Sequence, residues 1–407
     1  VRGTGTRKGS GTFYTKPQLA VPTVHRTLEP LVYTVEGEGE GRTLTPRIPE
    51  EILALKVCDP AMGSGSFLVA ALRYITDALY ESLWFHQRIR PRTTESSVIT
   101  LPAGAVSQGA AMEEMLPCST EDERFESLVK ARLKRYVVER CIYGVDINPL
   151  AVELGKLSLW VETMDRELPF EFLDHKLKPG NSLVGCWFDN FQEYPVMAWL
   201  REGGDKGHKG VHFKEGNWTK AIKKVLDEKV KPELKNVIDG QVTLDRSISD
   251  EEALKALFEK AVRRFESIHA MAITDYESRE AFFRDCILND EGLRELKERF
   301  DLWCAIWFWP GEWMDEHVPT PERFYHPTPE IITRVQLLTN KLRFFHWELE
   351  FPDVFVAGKG GFDGILGNPP WDISKPKSQE FFSFFDPIFR MRGKQEAIVL
   401  QKELFTH

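Results

Sequence analysis

A membrane-spanning segment is the first thing this sequence lacks. Its best apolar run, LWCAIWFWP at 302–310, falls far short of the ~20 residues that cross a bilayer. The opening VRGTGTRKGSGTFYTK has no apolar h-region, so it does not read as a secretory signal. Zinc-site and disulfide patterns are missing too. The six cysteines, at 58, 118, 141, 186, 286 and 304, include no C-x-x-C pair, which fits reduced cytoplasmic thiols and gives no metal ligand set to expect. Surplus positive charge is the third absence. With 53 Lys and Arg against 62 Asp and Glu the formal charge is −9, and no general attraction to nucleic acid follows. Such contact would need a local basic surface, or a part of the protein outside this chain. The first residue is valine, as expected of a piece cut from a longer protein.

What is present is an ordinary globular balance, 42% hydrophobic and 28% charged, with no repeat at solenoid periods. Four segments read differently. Residues 1–57 join a basic Gly/Ser stretch, a short helix in LAVPTVHRTLEPLVY and the loop VEGEGEGR. Residues 58–189 alternate apolar strand-like runs with helical patterns, the signature of β-α-β units and a parallel sheet. ALKVCD (54–59) predicts a strand and SFLVAALRYITDALYESLW (66–84) a helix. CIYGVDI (141–147) and LAVELGKLSLWVETM (150–164) repeat the pattern, and a weaker third strand is expected near EFLDHKLK (171–178). The Thr-, Ser-, Gly- and Pro-bearing stretch 90–118 reads as a long surface loop, followed by the charged helix EDERFESLVKARLKRYVVER. Residues 190–345 predict a helical insertion, one helix opening on the capping-box pattern of Ser249 and Glu252. Residues 346–407 bring a buried strand at 362–367 and then NPPW at 368–371.

Chemistry enters after the first strand, in DPAMGSGSFL at 59–68. Gly63 and Gly65 permit tight turning and close backbone approach, and the following helix start points free N–H groups at a ligand. In GVDINPLA, Asp146 stands at the carboxyl end of the second strand, where an acid can accept both ribose hydroxyls. A helix cap before Pro149 explains the same aspartate. A dinucleotide fold places that acid ~20 residues after the glycines, and here the gap is far longer. Together the two features point to a nucleoside cofactor, with the chemistry open between hydride and methyl transfer. In KPGNSLVG (178–185), Asn181 stands where its amide reaches an adenine ring with Leu183 against the ring face; a plain turn accounts for these residues equally.

NPPW poses a sharper problem, because two prolines stop a strand and fix the chain rigidly. Placed beside a cofactor pocket, the Asn368 side-chain oxygen and the Pro369 carbonyl would accept the hydrogens of an exocyclic amine. The amine's lone pair, otherwise delocalised into its ring, would then be localised toward a methyl donor, without a strong base. Trp371 offers a face on which a base taken out of a duplex stacks.

DPAMGSGSFL, GVDINPLA, GNSL and NPPW, in this order, resemble the motifs of S-adenosylmethionine-dependent N6-adenine DNA methyltransferases. The resemblance is strongest to the gamma-ordered enzymes of fused type II restriction–modification proteins and to phage-defence adenine methylases. RKGSGTFYTKPQLA resembles the segment that covers the methionine end of the cofactor in that family. The likeness touches about 1–30, 54–85, 140–186 and 345–380. It implies an α/β fold: a partial Rossmann-like S-adenosylmethionine methyltransferase sheet with a large helical insertion. In that scheme 1–57 covers the cofactor, 58–189 binds it, 190–345 is the insertion, and 346–407 begins a truncated target-base half.

Residue by residue, the resemblance implies that Thr15 and the backbone at Phe13 hold the methionine moiety of S-adenosyl-L-methionine. Asp59, Pro60, Gly63, Gly65 and Phe67 would line the methionine and ribose. Asp146 and Ile147 would take the ribose, and Asn181, Ser182 and Leu183 the adenine. Asn368, Pro369, Pro370 and Trp371 would form the target-base site. In TKP at 15–17 a lysine separates Thr from Pro, where the family has them adjacent, which leaves the role of Thr15 open. The implied partner is double-stranded DNA with a flipped target adenine, alongside restriction or defence subunits, in a prokaryotic cytoplasm; the piece alone is expected to be inactive.

Other readings remain at this stage. Methylation of another planar nitrogen, a protein glutamine or a ribosomal RNA guanine, meets the same lone-pair problem. A non-catalytic DNA-binding protein on a degenerate methylase fold is opposed by intact Gly63, Gly65, Asn368 and Trp371, and an NAD-dependent oxidoreductase gives NPPW no role. His346 reads as a packed or capping histidine. Glu348, Glu350 and Asp353 are expected to face solvent around a strand, and Trp303, Trp307, Trp309 and Trp313 to form insertion core. The Lys-rich run 206–235 reads as a solvated face.

Overall fold

Val57 and Cys58 are fully buried and Asp59 nearly so, which makes the short apolar run around them a central strand rather than an edge. The computed structural model describes residues 15–407 apart from 38, 103–110, 164–172, 192, 201–223, 239–255, 257–258, 261–262, 265–266, 269–270, 272–275, 315, 356–359, 369–381, 383–388, 390–394, 397 and 401–407. The chain divides into two units, Val1–Gly367 and Asn368–His407.

In the first unit, helix α1 (Pro17–Val32) opens on a proline at its first turn and buries Ala20, Val24, Leu28 and Val32, one residue per turn. A hairpin of β1 (Tyr33–Glu36) and β2 (Thr43–Pro46) and the short α2 (Pro49–Ala54) lead to β3 (Val57–Asp59). Helix α3 (Ser66–Phe85) follows, with Leu68, Ala71, Leu72, Ile75, Ala78, Leu79 and Leu83 buried along one stripe. The stretch expected as a surface loop is instead a three-stranded antiparallel sheet: β4 (Ile89–Thr93), β5 (Ser96–Pro102) and β6 (Ala111–Leu116). The β-branched run Val98-Ile99-Thr100 outweighed its polar neighbours, and Ile99 and Leu101 are buried in the main core.

Helix α4 (Phe125–Cys141), β7 (Ile142–Asp146), α5 (Pro149–Thr163) and β8 (Leu177–Pro179) complete the next part of the unit. Strand β8 is shorter and later than 171–178. Among the described residues, 190–345 holds helices and no strand beyond a bridge of Phe344 to Asn181. These include α6 (Lys231–Ile238), α7 (Tyr276–Phe283), α8 (Glu291–Trp307), capped by the Asp290 side chain, α9 (Pro321–Tyr325) and α10 (Pro329–Leu342). Their core gathers Trp199, Phe300, Ile306 and the fully buried Trp309, with Trp303, Trp307 and Trp313 against it. The capping box at 249–252 and the lysines at 206–223 lie outside the described residues; Lys224 and Lys231 are exposed and paired with acids one turn away.

The approach to NPPW departs from the expected strand. It is two helical turns, α11 (Trp347–Glu350) and α12 (Pro352–Phe355), before β9, which is only Gly364–Ile365. Strands β8, β7, β3 and β9, in that order, form one all-parallel sheet. The chain therefore winds outward from β3 through β7 to β8, then returns to the opposite side of β3. Both faces are covered, as parallel sheets require. The helices α1 to α5 pack against one face in the main core. Cys58, Tyr143 and Val145 turn to the other face, where Phe345, Phe351 and Val354 cover them. In the second unit, the Phe382 and Phe389 rings stack with centroids 5.2 Å apart.

One close approach fixes the sheet's packing. A Cβ on Gly144 would stand 2.3 Å from Met62 Sδ, 2.8 Å from Leu68 Cδ1 and 3.0 Å from Leu177 Cδ2. Replacing Gly144 with alanine is expected to destabilise the fold by about 1–3 kcal/mol through overpacking. Denaturant unfolding should show the midpoint falling with an unchanged slope.

Candidate active site at the carboxyl edge of the sheet

Because β8, β7, β3 and β9 run parallel, their carboxyl ends meet at one edge, and the residues that follow them share it. Asp59 ends β3, Asp146 ends β7, Gly180 and Asn181 follow β8, and Leu366 and Gly367 follow β9. This is also where winding reverses, between β3 and β9, the place in open α/β sheets where a crevice forms for ligands.

The glycine loop is held here by three hydrogen bonds, two between backbone groups and one to a side chain. Met62 N–H donates to the Val145 carbonyl at 3.0 Å, Gly65 N–H to the Met62 carbonyl at 2.8 Å, and Gly63 N–H to Asp146 Oδ2 at 2.9 Å. Gly63 and Gly65 take φ of 53° and 85°, the left-handed region that favours glycine. At Gly65 the backbone conformation alone sets the requirement, since a Cβ there would meet the Gly155 Cα at an ordinary 3.4 Å. Phe67 is buried one turn into α3, and Pro60 is half-buried.

Asp146 is not the cap of α5. Its Oδ1 accepts the Asn148 N–H at 2.8 Å, while Asn148 Oδ1 accepts the Leu150 N–H at 3.1 Å and so fills the capping role. Each Asp146 oxygen thus makes one of these backbone bonds; a carboxylate oxygen has capacity for a further hydrogen bond. Beside it, Ile147 is 48% exposed.

Asp59 is 1% exposed and its Oδ1 accepts the Ala61 N–H at 3.0 Å. Burial pushes its carboxyl up to about 7, the Asp146 charge pushes the same way, and the Ala61 bond opposes both. The Gly367 Cβ position lies 3.7 Å from Asp59 Oδ1, so the end of β9 closes over this acid.

The GNSL turn stands on the far side of β7. Gly180 N–H donates to the Asp146 carbonyl at 2.9 Å, and Asn181 N–H to the Arg343 carbonyl at 2.7 Å. Asn181 Oδ1 accepts the Leu183 N–H at 3.2 Å, so its oxygen caps the turn in this arrangement. Ser182 is half-buried and its carbonyl accepts the Trp347 indole N–H at 3.1 Å. Leu183 is 92% exposed.

The structure therefore brings together Asp59, Pro60, Gly63, Gly65, Phe67, Asp146, Ile147, Asn181, Ser182 and Leu183. Thr15 is buried just before α1. Phe13, Pro369, Pro370 and Trp371 lie outside the described residues. Asn368 is exposed and opens the second unit; in the chain it follows Gly367 directly.

Three further contributors went unread in the sequence. Gly144 and Gly155 admit the Met62 side chain that braces the loop, and Gly180 admits the Phe345 ring, whose Cδ2 would stand 2.3 Å from a Cβ there. An isolated glycine inside a strand or helix pattern was the available signal. The acids expected in solvent turn inward instead. Asp353 accepts a hydrogen bond from the Tyr143 hydroxyl, Glu350 pairs with Lys178 at 3.0 Å, and Glu348 accepts the Phe188 N–H. Lysines and main-chain donors on the sheet's edge supply partners that acid spacing alone could not reveal. His346 is a packed residue: Nδ1 accepts the Cys186 N–H at 3.0 Å, Nε2 faces Asp301 at 2.9 Å, and burial pushes the ring below the usual imidazole range.

Among the described residues no cluster of His, Cys, Asp and Glu could hold a metal, and no helix is long and apolar enough to cross a membrane. No solved structure matches the chain with significance. A protein of Methanocaldococcus jannaschii, named as a candidate type II restriction enzyme and methyltransferase, is 23% identical over 419 aligned positions. That alignment covers 92% of this chain but 29% of the relative, so the chain spans less than a third of the relative's length. The model of the Eco57I restriction-modification methylase family matches residues 140–394, more than half of the chain and including the Asp146 turn, GNSL, the helical insertion and NPPW. The chain belongs to the Eco57I restriction-modification methylase family.

Proposed function

We propose that this chain carries the cofactor pocket and the target-base motif of an S-adenosylmethionine-dependent N6-adenine DNA methyltransferase serving restriction–modification or phage defence. One observation carries the reading: the Asp59 loop, the Asp146 turn and GNSL share one sheet edge, and NPPW follows β9 in the chain after two residues. The sheet order supports a Rossmann-like methyltransferase core, with 58–189 as its cofactor half, 190–345 as an insertion and NPPW opening the target half. The family and the name of the M. jannaschii relative support methylation in a restriction–modification setting.

The residues fit S-adenosyl-L-methionine on physical grounds. Asp146 has acceptor capacity for ribose hydroxyls, and the exposed Ile147 and Leu183 offer apolar cover for an adenine ring. The buried Asp59 suits a cationic methionine end, and Thr15 and the segment at Phe13 would close over it. The cofactor, when bound, supplies a sulfonium methyl whose carbon–sulfur bond breaks as a carbon–nitrogen bond forms.

This chain's part is to shape the acceptor. Asn368 Oδ1 and the Pro369 carbonyl accept the two hydrogens of a flipped adenine's N6. They draw its lone pair out of the ring and stabilise the positive charge that develops on nitrogen. The surplus proton then passes to water. Pro369 and Pro370 hold these acceptors rigid, and Trp371 stacks on the extruded base.

In the intact protein, Asn368→Ala should cut transfer of labelled methyl to DNA about 10²- to 10³-fold while cofactor affinity, by titration calorimetry, stays within about threefold. Equal loss of both would contradict the role given to Asn368.

Asp59 yields a pH prediction. Its carboxyl titrates about 7, so it is charged above that pH and can pair with a cation, and becomes neutral below it. Cofactor affinity should therefore weaken on acidification, by up to about tenfold per pH unit below the midpoint. Asp59→Asn should bind more weakly and lose this pH dependence.

A further inference from the structure

One contact strip stands outside this scheme. Residues 345–353 lie along 176–188, the segment that contains GNSL. At one end, Glu348 accepts the Phe188 N–H and His346 Nδ1 the Cys186 N–H. In the middle, the Trp347 indole donates to the Ser182 carbonyl, and the Phe345 ring occupies the space that Gly180 leaves. At the other end are two ion pairs. Lys178 Nζ meets Glu350 Oε2 at 3.0 Å and the Glu350 carbonyl at 2.7 Å. Lys176 Nζ lies 3.5 Å from Asp353 Oδ2 and donates to the Tyr143 hydroxyl at 2.6 Å, which itself donates to Asp353. Lys56, at the entry to β3, approaches the same Asp353 oxygen at 3.8 Å.

Lys176 is 1% exposed, and the Asp353 and Lys178 side chains 7% and 11%. Ion pairs this deep are weak contributors to net stability, because desolvation offsets their attraction. Register is what they can fix. Lys178 lies on β8 and Lys176 in the turn just before it, two positions apart, and both reach the 350–353 segment; Glu350 and Asp353 straddle the break between α11 and α12. A slip of one residue would leave buried charges mispaired. The chain then continues into Asp363, whose side chain accepts the Lys56 N–H at 2.7 Å, and into β9, where Leu366 N–H donates to the Cys58 carbonyl at 2.9 Å.

We infer that the Lys178–Glu350 and Lys176–Asp353 pairs are positioning residues that hold residues 345–353 against the β8 segment and so set the register of β9, the strand after which NPPW follows in the chain. The inference rests on the proposed methyl transfer for its functional consequence, but not for its structural one. The GNSL turn and residues 345–353 are then one mechanical piece.

The test uses Lys178→Met, Glu350→Gln and the milder Asp353→Asn in the intact protein. Hydrogen exchange of the peptide covering 362–367 should quicken tenfold or more in Lys178→Met, with the β7 peptide unchanged. Single-turnover methylation at saturating cofactor and DNA should fall tenfold or more, with cofactor affinity within threefold. Lys178→Arg, which keeps the charge and its donors, should recover at least a third of the rate. A lowered melting temperature with unchanged exchange at 362–367 and an unchanged rate would overturn the inference, as would loss of cofactor binding in step with rate. If the wild-type protein transfers no methyl group to DNA, the proposed activity falls, and the exchange measurement alone still decides for or against the register role.

Discussion

The hydrogen bond from Gly63 N–H to the Asp146 carboxylate is the constraint on which the rest of the site depends. It ties the loop leaving β3 to the end of β7, two points 83 residues apart in the chain. The loop can make it only because Gly63 adopts a left-handed backbone, and Met62 can tuck beneath only because β7 carries Gly144 at that level. The Asp146 oxygens keep capacity for a ligand because Asn148, not Asp146, caps the following helix. A small set of local choices thus leaves an aspartate oriented at a sheet edge.

The second governing feature is the return of the chain to the far side of β3. A parallel sheet needs cover on both faces, and here Phe345, Phe351, Val354 and Phe362 give it, packing over Tyr143 and Val145. The same segment meets the GNSL turn and leads into β9. The helices between β8 and β9 are tied back to the sheet edge at two points: the Arg343 carbonyl accepts the Asn181 N–H, and Asp353 accepts the Tyr143 hydroxyl. Arg279 of the insertion reaches back as well, pairing with the buried Glu139 at the end of α4.

Much of the sheet was legible in the sequence, and the reason is periodicity. Val57–Asp59, Ser66–Phe85, Ile142–Asp146 and Pro149–Thr163 sit where apolar runs and capping residues put them. The antiparallel β4–β6 sheet was hidden because Pro91, Thr93 and Ser96 resemble loop composition, and pairing between short strands is a non-local property. The inward turn of Glu350 and Asp353 was hidden for a related reason: a carboxylate's partner, here a lysine on β8 more than 170 positions away, cannot be read from its own neighbours. Asn181 shows the reverse case. Its position at the edge was legible from GNSL, while the engagement of its side-chain oxygen with Leu183 N–H needed coordinates.

The account's central claim is that a planar amine on adenine is the acceptor at this edge. Nucleoside mass spectrometry of DNA from cells expressing the intact protein, beside cells carrying its Asn368→Ala variant, tests that most directly. The account predicts N6-methyladenine above background in the first and background levels in the second; no N6-methyladenine in either, with the protein expressed and folded, would contradict it.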